Sequence, residues 1–199
     1  ALLTWSRCPN AVIFGRMGAR YGRYETLRKI ASGGMATVYL GRALGEGGFE
    51  RLVALKVMHP HIADDEEFRR MFLDEARLAA RIRHPNVVAV LDVQRSDEGM
   101  FLVMDYVDGP TLHHLRRRMR KQGEIIPLPI ALRIFVDVLT GLHDAHELCD
   151  EQGRPLSLIH RDISPQNVLV GSDGIGRITD FGVARAEARL SSTRGRQLK

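Results

Sequence analysis

Ile159-His160-Arg161-Asp162-Ile163-Ser164-Pro165-Gln166-Asn167-Val168-Leu169-Val170 places an acid and an amide in one short loop, and an apolar strand-like run follows at once. A second such strand leads into Ile178-Thr179-Asp180-Phe181-Gly182. In this setting Asp162 can accept a proton, while Asn167 and Asp180 offer oxygen ligands suited to a hard divalent ion such as Mg²⁺. Either loop alone also reads as an ordinary turn. Their order, each at the end or start of an apolar strand, argues for one shared site.

Upstream, residues 24 to 106 read as β-rich runs broken by glycine turns: Tyr24–Ala31, Thr37–Ala43, Leu52–Met58, Val87–Arg95 and Met100–Tyr106. They predict a small antiparallel sheet. Between the first two runs lies Ser32-Gly33-Gly34-Met35-Ala36, where small residues would let backbone N–H groups approach an anion; a plain hairpin turn is the other reading. Gly45-Glu46-Gly47-Gly48 reads as a hairpin turn. Val53-Ala54-Leu55-Lys56 puts a lysine in an otherwise apolar strand, where it needs a counter-charge. A helix predicted from the N-cap Asp64 to about Arg83 carries Glu75 on the apolar face of Phe68, Met71, Phe72, Leu78 and Ile82. Lys56 and Glu75 therefore read as a pair, or else as lobe-edge residues whose end groups reach water. After Asp108-Gly109-Pro110 the periodicity turns helical, with helices predicted from Thr111 and from Pro129 to Leu148.

Taken together, the glycine loop, Val-Ala-Leu-Lys, the helix glutamate, the His-Arg-Asp-to-Asn loop and Asp-Phe-Gly resemble the bacterial-type (Hanks-type) serine/threonine protein kinases, from Tyr24 onward. The resemblance implies an α+β, two-lobe fold. Residues 1–20 would be a disordered extension, with Met17 as the expected initiator. Residues 21–107 would form a complete N-lobe of antiparallel sheet plus one helix, and residues 108–199 an incomplete, mainly helical C-lobe ending inside the activation segment. On this reading the chain by itself would be partly unfolded and inactive, with Leu132, Phe135, Leu139 and Leu142 uncovered.

The family's roles fall on matching positions. Gly33 and Gly34, with Ala31 and Ala36 beside them, would cover the phosphates of ATP, and Lys56 would hold the α and β phosphates while pairing with Glu75. Asp162 would accept the hydroxyl proton, Asn167 and Asp180 would hold Mg²⁺ (or Mn²⁺), and Phe181 would pack beneath the Glu75 helix. Ile30, Val38, Ala54 and Leu169 would form the adenine slot, with Met104 as gatekeeper and the backbone of Asp105 and Val107 as hinge. The implied partners are protein substrates bearing serine or threonine. Arg161 implies control by phosphate in the activation segment, with Ser191, Ser192 and Thr193 as candidates for autophosphorylation; a flexible polar loop is the competing reading. Ser164 stands where most of the family has a lysine near the γ-phosphate, which leaves rate and hydroxyl preference open. The alternative function is a nucleotide-binding pseudokinase or scaffold without turnover.

Composition agrees with a globular chain: 44% hydrophobic and 27% charged residues suffice for a packed core. The net charge of +5 and the run Arg116-Arg117-Arg118-Met119-Arg120-Lys121 invite a nucleic-acid reading. No zinc spacing, RNA-binding aromatic signature or basic heptad accompanies the run, so a solvated helix end is preferred and no nucleic-acid partner is expected. Cys8 and Cys149 form no metal or redox motif, and no apolar stretch approaches bilayer length. A cytoplasmic protein is expected, or one at the cytoplasmic face of a membrane held by a segment outside this chain. His143 and His146 have no third ligand at useful spacing, and His59, His61, His113 and His114 read as loop and surface residues.

Overall fold

The computed structural model describes residues 18–60, 65–96 and 99–181; the side chains of Met71, Glu75 and Ser96 also fall outside what it describes. The expectations for residues 1–17, Asp64, Gly182, Ser191, Ser192 and Thr193 lie outside the described residues.

Strands β1 (Arg20–Tyr21), β2 (Tyr24–Ser32), β3 (Ala36–Leu44), β4 (Glu50–Met58), β5 (Val90–Ser96) and β6 (Gly99–Asp105) form one antiparallel sheet in the order β1-β2-β3-β4-β6-β5. Glu46–Gly48 makes a 3₁₀ turn between β3 and β4, as the glycines there predict. Alternation along the strands sorts side chains onto two faces. Val53, Leu55, Phe101 and Val103 pack with Tyr21 and Tyr24 on one. Ala36, Ala54, Met58, Leu102 and Met104 face helix α1 (Glu66–Ala79) on the other, against its Phe68, Phe72 and Ala76. Lys56 lies between Leu55 and Val57, so it points to the α1 face.

Two boundaries differ from expectation. The N-cap of α1 is Asp65, whose carboxylate accepts the Phe68 N–H at 3.0 Å, and the helix stops at Ala79 rather than near Arg83. The reason lies in the N–H groups of Arg81 and Ile82, which turn to the carbonyls of Leu78 and Ala79 and tighten the chain ahead of Pro85. The run expected over Val87–Arg95 joins the sheet only from Val90, because Val87 bridges Ile178 and the Val88 N–H donates to the Ile178 carbonyl.

Past the sheet come α2 (Leu112–Lys121), capped by the Thr111 hydroxyl on the His114 N–H at 3.2 Å, and α3 (Leu128–His146). A two-stranded ribbon, β7 (Val168–Val170) with β8 (Gly176–Ile178), carries the two motif loops at its ends. Gly109 lies so close to β7 that an added Cβ would collide with the Val170 carbonyl oxygen, which fixes how the sheet half joins the helical half. Helix α3 buries Ile134, Val138 and Ala145 with Leu158, Ile178 and Phe181. Its other side, with Leu132, Phe135 and Leu139, is exposed, whereas Leu142 packs on the cluster. The arginines of α2 are exposed, and no helix among the described residues is long and apolar enough to cross a membrane.

The ribbon is held to α3 by a buried acid. Asp137, only 4% exposed, accepts the Gly176 N–H at 2.8 Å through Oδ2 and the Arg133 Nε–H at 2.9 Å through Oδ1. Asn86 completes the joint: its Nδ2 donates to the Gly176 carbonyl at 2.9 Å, and its Oδ1 accepts the Thr140 hydroxyl at 3.1 Å. Asp137→Ala would strand a buried N–H and is expected to cost about 2 kcal/mol, with Asp137→Asn losing less because it keeps an acceptor. The denaturant midpoints of the two variants check this, and equal midpoints for Asp137→Ala and the parent would count against it.

Candidate active site

The described residues bring together three motif segments that lie far apart in the chain. From the middle of β4, the Lys56 Nζ donates to Asp180 Oδ1 at 2.5 Å, with the lysine side chain 11% and the aspartate 29% exposed. Each group supplies the counter-charge that such burial requires. Glu75, the partner expected from sequence, sits in α1; its side chain is outside the described ones.

Asp180 can face the lysine because its backbone is left-handed, with φ 63, a conformation that aspartate tolerates better than most residues. Arg161 is also left-handed, at φ 67, a costlier state for so long a side chain. The reversal at Arg161 separates the fates of its neighbours: His160 is buried and Asp162 is exposed.

Asp162 and Asn167 form the acid–amide unit foreseen from their spacing. The Asn167 Nδ2 donates to Asp162 Oδ2 at 2.8 Å and to the Asp162 carbonyl at 2.9 Å. Because the amide nitrogen is turned to Asp162, Asn167 Oδ1 faces away, as a metal ligand must. Asp162 Oδ2 is thus engaged, which leaves Oδ1 to receive a proton. The Thr179 N–H donates to the Asn167 carbonyl at 3.0 Å, tying this loop to the Asp180 segment.

His160 is the residue in this region whose importance the sequence reading passed over. Its Nε2 donates to the Thr179 carbonyl at 2.9 Å, its Nδ1 accepts the Asp162 N–H at 3.3 Å, and its ring packs against Phe181 with centroids 4.6 Å apart and planes tilted by 60°. These partners select the neutral Nε2–H tautomer. Burial holds its pKa below the ordinary histidine value, against the opposing pull of the Thr179 carbonyl and the charges of Asp180 and Asp162. The unfolded chain takes up this proton below about pH 6.5 and the folded chain resists it, so stability falls as pH drops through that range. One proton contributes a slope of at most about 1.4 kcal/mol per pH unit. His160→Phe keeps a ring against Phe181 and is expected to flatten the decline in melting temperature between about pH 6.5 and pH 5. An unchanged slope would show that other groups set it.

Phe181 is buried in the same cluster as Ala79 and Ile82, at the C-terminal end of α1 and just beyond it, as expected of a residue beneath that helix. Of the residues expected at the adenine slot, Val38, Ala54 and Leu169 meet in one cluster with Met104 and Val107, the expected gatekeeper and hinge, and Ala54 lies opposite Met104 in the β4–β6 register. Ile30 stands apart at 41% exposure on β2. The Asp105 N–H is taken by the Ala89 carbonyl at 3.0 Å, so only its carbonyl can serve a base, and its carboxylate binds Arg51 at 2.5 Å. Ala31 pairs with Val38, and the Gly33 N–H donates to the Ala36 carbonyl at 2.9 Å, which closes the glycine hairpin. A cavity of about 820 Å³ lies between α2 and α3, lined by Arg116, Arg120, Ile125 and Phe135, away from Lys56 and Asp180. It reflects the uncovered face of α3 and carries none of the chemistry above.

Residues 24–196 match a protein-family model described as the protein kinase domain. The tyrosine-protein kinase MasK of Myxococcus xanthus is 42% identical over 174 residues, 87% of this chain and 27% of that protein. The serine/threonine-protein kinase PrkC of Bacillus subtilis is 37% identical over 172 residues, 86% of this chain and 24% of PrkC. This chain thus spans about a quarter of the length of these curated relatives. The crystal structure of the Mycobacterium tuberculosis PknI kinase domain superimposes with a TM-score of 0.65 at 32% identity, over 86% of this chain and 64% of that one.

Proposed function

Since the chain belongs to the protein kinase family, in its bacterial serine/threonine branch, we propose that it transfers the γ-phosphoryl group of ATP to serine or threonine hydroxyls of proteins in the cytoplasm. The observation that carries this reading is the Lys56–Asp180 pair at 2.5 Å, which joins the sheet to the motif loops at the point where phosphates and metal would meet.

The donor set fits the group it would hold. Asp180 and Asn167 are oxygen ligands of the kind a hard divalent cation selects, and Lys56 is a partly buried ammonium that can exchange a carboxylate for a phosphate. Mg²⁺ would supply charge neutralisation on the phosphates. The chain's own residues do the rest: the cluster of Val38, Ala54 and Leu169 receives the base, Lys56 fixes the α and β phosphates, and Asp162 Oδ1 orients the substrate hydroxyl and takes its proton. Positioning and preorganised charge, rather than a covalent intermediate, lower the barrier. Ser164 adds no positive charge near the γ-phosphate, so that neutralisation would fall to Lys56 and to the metal that Asn167 and Asp180 would hold. Autophosphorylation at Ser191, Ser192 or Thr193 belongs to the same reading.

The test is transfer of labelled γ-phosphate from MgATP to a generic basic protein by the full-length protein that contains this chain, followed by phosphoamino-acid analysis. Phosphoserine or phosphothreonine is expected. Phosphotyrosine alone would overturn the hydroxyl class, and no transfer at all would overturn the activity.

A further inference from the structure

We propose that His59, read from sequence as a loop residue, is a positioning residue that clamps the glycine-rich hairpin from outside the cleft and sets the direction of the amide aimed at the phosphates. This rests on the nucleotide-binding reading above and goes beyond it, since no motif of that reading includes His59.

His59 follows the last residue of β4 and makes three contacts with the hairpin. Its backbone N–H donates to the Met35 carbonyl at 2.8 Å. Its ring Nδ1 lies 3.2 Å from the Gly34 carbonyl, and its Nε2 lies 3.2 Å from Thr37 Oγ1, which in turn is 3.2 Å from Ser32 Oγ. A carbonyl only accepts, so Nδ1 carries the proton and donates to Gly34. In the neutral ring Nε2 then accepts, which makes Thr37 the donor to His59 and the acceptor from Ser32. One chain of hydrogen bonds links Ser32, Thr37, His59 and Gly34, across both strands and the tip of the hairpin.

The side of the sheet from which His59 acts is fixed by alternation. Val38 packs on the α1 face and Lys56 points the same way, so Thr37, between Ala36 and Val38, faces the opposite side, and His59 meets it there. The Gly34 carbonyl is drawn to that outer side. In a trans peptide the C=O and the following N–H point in opposite directions, so the Met35 N–H is turned toward the face of Val38 and Lys56. That is the side from which phosphate would approach. Added Cβ atoms at Gly34 would meet nothing within 4 Å, so packing does not hold this peptide in place. Met35 is anchored on the other side by its buried side chain. A hairpin held in this way loses less freedom when a ligand arrives.

Three variants of the full chain separate the contacts. His59→Asn keeps a donor at the Nδ1 position and so keeps the Gly34 contact; His59→Gln reaches only toward Thr37; His59→Ala keeps neither. In the absence of nucleotide, amide exchange over residues 33–36 is expected to rise about fivefold in the Ala and Gln variants, the effect of one net hydrogen bond, and to return to the parent rate in Asn. With nucleotide, Kd and KM for MgATP should rise by about the same factor in Ala and Gln while kcat stays unchanged and the melting temperature falls by no more than about 4 °C, because the backbone bond to Met35 survives in all three. Parent-like exchange in all three variants would overturn the clamp. Raised exchange with unchanged MgATP affinity would overturn its role toward phosphate. If the parent binds no MgATP at all, the nucleotide reading fails, while the exchange data still decide the clamp.

Discussion

In the Asp162→Asn protein, phosphoryl transfer is expected to fall by roughly 10²- to 10⁴-fold while affinity for MgATP stays near that of the parent, the range that a positioned proton acceptor contributes. The asymmetry follows from the geometry. Asp162 Oδ2 and the Asp162 carbonyl engage Asn167, and asparagine at this position can still offer an acceptor toward that amide. What asparagine lacks is a carboxylate at Oδ1 able to hold the proton of an attacking hydroxyl. Lys56 and Asp180, which on the proposed function would face the phosphates and the metal, are untouched by the change. Single-turnover transfer and equilibrium nucleotide binding, measured on the same protein, separate the two quantities. Full transfer in Asp162→Asn would remove Asp162 from the role of base, and a parallel loss of affinity would show that it holds the loop rather than the proton.

Asp180→Asn should show the opposite pattern, losing the metal-dependent part of nucleotide affinity and with it roughly a thousandfold or more in turnover, several kcal/mol of charge stabilisation. In the structure Asp180 neutralises Lys56 at 2.5 Å. On the proposed function the two charges would exchange partners with MgATP: the ammonium would take a phosphate and the carboxylate the cation. Asparagine cannot neutralise either one. It also leaves a mostly buried ammonium without its counter-charge, so nucleotide-free Asp180→Asn is expected to melt below the parent, with the penalty reduced by the partial exposure of the aspartate. Titrating Mg²⁺ at fixed ATP reads the first effect and thermal melting the second. A parent-like Mg²⁺ dependence would displace Asp180 as principal ligand and leave Asn167 to carry that role.

What could be read from the sequence was whatever depends on near neighbours along the chain. The strand ranges followed from alternation and from glycine breaks, and β2, β3, β4 and β6 lie close to where those signals put them. The spacing of Asp162 and Asn167 put an acid and an amide in one loop, and the structure adds the hydrogen bond between them. The two-lobe fold and the roles expected of Lys56 and Asp180 were implied by the resemblance that the motifs carry. Contacts between distant segments were decided only in three dimensions. That Lys56 pairs with Asp180 depends on β4 and the segment after β8 arriving at one place, with Asp180 in a left-handed turn that no local pattern announces. The late entry of this run into the main sheet, at Val90, reflects competition by Ile178 for the backbone groups of Val87 and Val88, and the joint of Asn86, Asp137 and Gly176 arises from three segments whose polar atoms must find partners once buried. His59 shows the same division. Its place beyond a strand marks it as a loop residue, and only the pairing of β3 with β4 brings its ring within reach of Gly34 and Thr37, because register across a sheet is set by which faces are buried and not by distance along the chain.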